Sequence, residues 1–142
     1  MLIRIDPGSE VPVFAQLAAA IRQELAAGRV RPGEKLPAAK EVAASLGVNL
    51  HTVLRAYQEL RAEGLVDIRR GRGAVVTDLA TAVVGLRGDI EALVRRAGTL
   101  GVSQATVAEL VRDTGIDGDT GIDGDAKIER STRIEGDADG RG

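Results

Sequence analysis

The feature that most narrows what this chain can fold into is the uninterrupted run from Leu36 to Val76, LPAAKEVAASLGVNLHTVLRAYQELRAEGLVDIRRGRGAVV. Within it, Val42, Ala43 and Leu46 line one face of a short helix, and Gly47 stands where a left-handed C-terminal cap belongs. Asn49 then opens a longer helix whose buried stripe is Val53, Ala56, Tyr57 and Leu60, with Gly64 as its stop. The opposite face carries His51, Thr52, Arg55 and Gln58. Two short β-type runs, residues 65–69 and 74–77, flank Arg70-Gly71-Arg72-Gly73 and predict a hairpin with a cationic tip. Helix, tight turn, longer helix and basic hairpin, in that order, are the parts of a winged helix-turn-helix that reads duplex DNA.

The flanking segments extend this plan. Residues 2–5 alternate weakly before Asp6-Pro7-Gly8, which limits them to a short strand or an extended arm. Pro12 suits a first helical turn, and Phe14, Leu17, Ile21 and Leu25 follow at helical spacing until Gly28; Pro32-Gly33 then makes a turn. From Leu79 the pattern changes to a heptad-like seam of Leu79, Val83, Leu86, Ile90, Leu93 and Ala97, weakened by Gly85 and Gly88. After a break at residues 98–101, Ser103 is placed as the N-cap of a last helix with Val107, Leu110 and Val111 on its apolar side. Two helices of this size enclose little core, so a second copy of the chain is the natural cover. The expected dimer interface is Leu79, Val83, Leu86, Ile90, Leu93, Val107, Leu110 and Val111. Residues 113–142 hold Asp, Gly, Thr and isolated Ile, with DTGIDG repeated at 113–118 and 119–124, too little apolar surface to offset chain entropy. The expected fold is therefore mainly α with a small β-wing. Its parts are a DNA-binding domain over residues 1–78, a helical dimerisation hairpin over 79–112 and a disordered acidic tail over 113–142.

Composition removes other classes of function. The chain has no cysteine, so disulfide frameworks, thiolate nucleophiles and thiolate zinc sites are excluded. Its one histidine, His51, leaves little material for an imidazole-based triad or a multi-histidine metal site. Neither an enzyme nor a cofactor is expected, and the Asp-rich repeat lacks the spacing and bidentate Glu of a calcium loop. Apolar runs fall short of the roughly 20 residues that span a bilayer, and the first residues carry no signal-peptide core, so a soluble cytoplasmic protein with no membrane partner is expected. The net charge of −2 hides an asymmetry: eleven basic against eight acidic residues over 1–77, four against four over 78–112, and four against nine over 113–142. A basic head with an acidic tail suits a nucleic-acid binder.

The second helix of such a motif enters the major groove with its N-terminal residues on base edges. Here that assigns Asn49, Leu50, His51 and Thr52 to the bases, with Arg55 further along, inside a helix-turn-helix running from Ala39 to Gln58. Asn and Thr offer hydrogen bonds, and Leu50 offers an apolar surface to a thymine methyl. Lys40 is expected on a phosphate or a guanine. Arg70, Gly71 and Arg72 would lie along the adjacent minor groove or phosphates, where glycine permits close backbone approach. The string LGVSQATVAELV at 100–111 imitates a second reader, but the long helix before it carries the seam and no basic wing follows. The competing class is a winged-helix module that binds protein, and an acidic or apolar exposed face would favour it; His51, Thr52 and Arg55 do not.

These residues resemble the GntR family of bacterial transcription regulators. The resemblance rests on Pro12-Val13-Phe14-Ala15-Gln16-Leu17, on the turn from Gly28 to Pro37, on the helix-turn-helix, on Gly64-Leu65-Val66 and on Arg70-Gly71-Arg72-Gly73, in order over residues 11–79. It implies a homodimer on double-stranded operator DNA made of two inverted half-sites. The short helical remainder is similar to the YtrA-type subgroup, whose members often repress neighbouring transporter genes. Two positions depart from the family's common pattern. Lys40 stands where Arg is frequent, and Leu50 stands where Arg often follows Ser, so a bidentate guanine reader is missing. No effector is named by the sequence.

Overall fold

The computed structural model describes residues 1–115. Its elements are α1 (Val13–Ala26), α2 (Ala39–Leu46), α3 (Leu50–Ala62), β1 (Val66–Arg69), β2 (Gly73–Val76), α4 (Leu79–Thr99) and α5 (Gln104–Asp113). The fold is thus mainly helical with a two-stranded antiparallel sheet. Two compact units divide it, Met1–Ala92 and the residues from Leu93 onward.

The first unit is built on α1 and α3. The spacing of Leu17, Ile21 and Leu25 on α1 and of Val53, Ala56 and Leu60 on α3 puts each set on one stripe, and all six are fully buried. Val42 and Ala43 of α2 close the same core from the side, and Val66, Ala74 and Val76 of the hairpin cap it. Pro12 stands at the N-cap rather than inside the first turn, and it has no side-chain partner there. The arm before it forms no strand. Gln16 holds it instead, with Nε2 donating to the carbonyls of Asp6 and Val11 at 2.9 Å each and Oε1 accepting from the Asp6 amide at 2.7 Å. Glu24 is the one charged residue buried in this core, 5% exposed, and Arg29 covers it at 2.9 Å. The Arg29 guanidinium holds the Glu24 carboxyl below its ordinary range, against the opposing effect of burial.

The hairpin pairs Val66 with Val76 and Arg69 with Gly73, with strand bounds one residue off the sequence expectation at three of four ends. A third segment joins it. The amides of Gly33 and Leu36 donate to the carbonyls of Val76 and Ala74, and the Val76 amide donates to Glu34, all at 2.8 Å. Lys35 and Val75 form an isolated antiparallel bridge. The sequence reads a plain turn here, because one bridged residue is too short for an alternating pattern to appear.

The first unit also extends further than residue 78. Ala80 is 1% exposed and Val83 packs against the core, so the first turns of α4 belong to the winged-helix unit and the division falls between Ala92 and Leu93. The cause is the short link: only Thr77 and Asp78 separate β2 from α4, which keeps the first turn of the helix beside the core. Val83, expected in the dimer seam, is consequently half-buried within its own chain. In the second unit α4 continues through Gly98 to Thr99, and α5 opens with the Ser103 hydroxyl accepting from the Thr106 amide at 3.1 Å. α5 ends at Asp113, one residue into the expected tail; residues 116–142, where the rest of that tail was expected, lie outside the described residues.

Candidate nucleic-acid interface

The site starts from a turn that only glycine makes cheaply. Gly47 ends α2 at φ 67°, and its amide bonds back to the Ala43 carbonyl, so the chain reverses within three residues. Asn49 then starts α3, its Oδ1 accepting from the His51 amide at 2.8 Å. That bond uses the acceptor end of the side chain. The Nδ2 donors have no bonded partner among the described residues, which leaves them able to donate to a phosphate oxygen or a base acceptor.

His51, Arg55 and Gln58 are exposed on the face of α3 opposite Val53, Ala56 and Leu60, while Thr52 is half-buried. Lys40 is exposed at the start of α2. Leu50 departs from the expected set. It is half-buried and packs against the core, so its methyl groups are largely spoken for.

The chain's only phenylalanine, on α1, and its only tyrosine, on α3 itself, fix this helix from two sides. On one side the Arg55 guanidinium lies 3.7 Å above the Phe14 ring centroid, so α1 positions the cation by its ring face. On the other, the Tyr57 hydroxyl donates to the Pro37 carbonyl at 2.6 Å and ties α3 to the segment entering α2. Burial, with a contribution from the Glu41 carboxylate, pushes the Tyr57 phenol up to about 12. Sequence reasoning placed Tyr57 in the core and missed both tethers, since neither partner is near in sequence.

Arg69 to Gly73 form the hairpin tip, and Arg70, Gly71 and Arg72 are all exposed. The Arg72 amide closes the turn on the Arg69 carbonyl at 3.0 Å, with Gly71 at φ 78° and Gly73 at φ 74°. Between the hairpin, α3 and the residues entering α2 runs a groove of about 370 Å³. Pro37, Ala38, Leu54 and Ile68 make its walls apolar, and Lys35 and Arg72 put cations on its lining. Leu54, absent from the sequence expectations, is 40% exposed there. A helix-period pattern marks it as non-core without saying what it faces.

Of the expected dimer residues, Leu79, Leu86 and Ile90 are exposed in the first unit, the latter two at 58% and 56%. In the second unit Leu93, Leu110 and Val111 are exposed, and Val107 is half-buried. No helix among the described residues is long and apolar enough to cross a membrane.

Comparison with known proteins agrees with this geometry. Residues 13–76 match the family model of bacterial regulatory proteins, gntR family. The HTH-type transcriptional repressor YtrA of Bacillus subtilis is 31% identical over 122 residues, which are 82% of this chain and 94% of that protein. An uncharacterized HTH-type regulator of the same organism, YhcF, is 30% identical over 73% of this chain and 90% of its own length. Among solved structures, YtrA from Sulfolobus acidocaldarius, a GntR-family transcription factor, superposes with a TM-score of 0.52 at 34% identity, covering 70% of this chain and 99% of that one. A GntR family regulator from Listeria monocytogenes gives a TM-score of 0.53 at 27% identity over 77% and 98%. These proteins are transcription regulators rather than enzymes. A helix-turn-helix with an exposed polar face, a basic hairpin beside it and a relative matched over nearly its whole length lead to one conclusion: this chain belongs to the GntR family of DNA-binding bacterial transcription regulators.

Proposed function

We propose that the chain is a cytoplasmic, homodimeric repressor that binds an inverted-repeat operator. The observation that carries the reading is a single groove lined together by Leu54 and Gln58 of α3, Ala39 of α2 and Arg72 of the hairpin, three elements that carry cationic or hydrogen-bonding groups. These are the N-terminal turns of α3 with Asn49, His51, Thr52 and Arg55, the start of α2 with Lys40, and the Arg70-Gly71-Arg72 tip. α3 enters the major groove, Lys40 takes a backbone phosphate, and the tip lies along the neighbouring minor groove or its phosphates. Arg55, held by Phe14, enters with part of its side-chain entropy already removed. The repressor role follows the printed function of the Bacillus subtilis relative. Dimerisation is supported by the exposed apolar residues Leu86 and Ile90 on α4 and Leu110 and Val111 on α5.

The test is binding to DNA from the chain's own upstream region, followed by fluorescence anisotropy across a salt series. Salt-dependent binding is expected, with log affinity falling linearly with log salt concentration. Arg70→Ala with Arg72→Ala should weaken binding on all sequences and reduce that slope by about two per protomer, about one per phosphate contact removed. An unchanged slope removes the tip from the interface. Absence of salt-dependent binding removes the reading as a whole.

A further inference from the structure

We propose that Leu54 is a base reader that selects thymine through its C5-methyl group. The inference rests on α3 lying in the major groove and goes beyond it by assigning a specificity-determining residue. Leu54 follows His51 by three positions, about 60° round the helix from it on the side toward the hairpin. Val53, Ala56, Tyr57 and Leu60 already fill the core-facing stripe at 5% exposure or less, so nothing in the core requires an apolar residue at position 54. Yet a leucine stands there, 40% exposed, beside the polar reading face of His51, Arg55 and Gln58. It lines the same apolar groove as Ile68 of β1, itself 37% exposed.

Thymine is the only base of DNA that presents a methyl group in the major groove, and apolar side chains select it by contact. Leu50 is the apolar residue that the sequence offers first for this task, but it packs against the core. The free apolar surface is one turn further on. Leu54 also explains why the missing arginine at position 50 need not leave the helix without discrimination: the chain trades a guanine reader for a thymine reader on the same flank.

The experiment uses the full chain and two forms of its own upstream DNA, one amplified with dTTP and one with dUTP, which lacks only the C5-methyl. The wild type is expected to bind the uracil form more weakly by about fourfold per contacted methyl, about fifteenfold for two half-sites. Leu54→Ala should lose affinity for the thymine form and show a uracil penalty smaller than the wild type's by that fourfold per methyl, because the shortened side chain leaves the methyl without its leucine partner. Leu54→Met, which keeps an apolar side chain, should retain the difference. Comparing variants on the same two DNAs cancels any effect of uracil on duplex shape. Equal binding of both forms by the wild type, or a uracil penalty as large in Leu54→Ala as in the wild type, overturns the assignment while leaving DNA binding intact. Failure of the wild type to bind either form overturns the parent reading and this one together.

Discussion

The two units of this chain solve the problem of burial in opposite ways. The winged-helix unit encloses Leu17, Ile21, Leu25, Val53, Ala56 and Leu60 completely, whereas among the described residues from Leu93 onward only Ala97 is buried. There, Leu100, Leu110 and Val111 are exposed at 69%, 59% and 64%. The first unit has a side-chain core of its own. α5 has a capping serine and helical periodicity, but local features of that kind contribute about 1 kcal/mol each and rarely hold a short helix in water unaided.

The contrast breaks most directly by truncating one apolar residue in each unit. Leu60→Ala should cost about 2–5 kcal/mol, the range for large-to-small changes at fully buried sites, measured by denaturant unfolding. Val111→Ala should change the unfolding of isolated chains by no more than about 0.5 kcal/mol, since its side chain is already in solvent. Equal effects would mean the second unit carries a core of its own.

A partner chain sharpens the contrast. Leu86→Asp with Leu93→Asp places two charges on residues exposed in a single chain, 58% and 45%, so folding should survive. Association should not: sedimentation should show the dimer dissociation constant raised at least about a hundredfold, since an unpaired charge is costly in an apolar interface. A dimer indifferent to both changes would put the interface elsewhere.

A smaller effect than the core truncation lies within the first unit, at its junction between α3 and the α2 entry. Tyr57 is the chain's only tyrosine and there is no tryptophan, so phenolate absorbance reports this group alone. Its pKa is raised on folding, to about 12, so it contributes stability that is complete below about pH 10 and is lost as pH rises toward 12. Tyr57→Phe should remove that alkaline loss and cost about 1 kcal/mol at neutral pH, the net worth of the bond to the Pro37 carbonyl. A midpoint near 10 in the folded protein would contradict the buried tether.

Most of the winged-helix unit was legible from local patterns. α2 occupies the expected residues because Val42, Ala43 and Leu46 mark one face and Gly47 supplies the positive φ that its cap requires. Asn49 caps α3 as its residue type predicts. The hairpin was visible because two β-type runs bracket glycines that accept the turn's backbone angles. The third segment at Lys35 was not visible, since its pairing with Val75 depends on a partner forty residues away along the chain and leaves no period of its own. In the helical region beyond, the spacing from Leu79 to Ala97 predicts one seam. The periodicity was real, but a heptad pattern does not say what it faces, and Val83 meets the chain's own core while Leu86 meets solvent.

The candidate interface divides along the same line. Asn49, His51, Arg55, Lys40 and the Arg70-Gly71-Arg72 tip are exposed, as expected from helical phase and turn chemistry. Leu50 and Leu54 could not be ranked by sequence, because both lie on the flank of α3 between the buried stripe and the exposed polar face. Which of two such leucines is covered depends on neighbours from other elements.

What the amino-acid sequence by itself determined is therefore the order and type of the elements, the caps that bound them and the polar face of α3. All of these are set by interactions within a few residues: helical phase, glycine backbone freedom and side-chain to backbone bonds. Only the tertiary structure decided that Phe14 carries Arg55, that Tyr57 anchors on Pro37, that Val83 turns inward and that Leu54 stays open beside Ile68. These depend on distances between segments remote in the chain, which close packing fixes and local propensity does not.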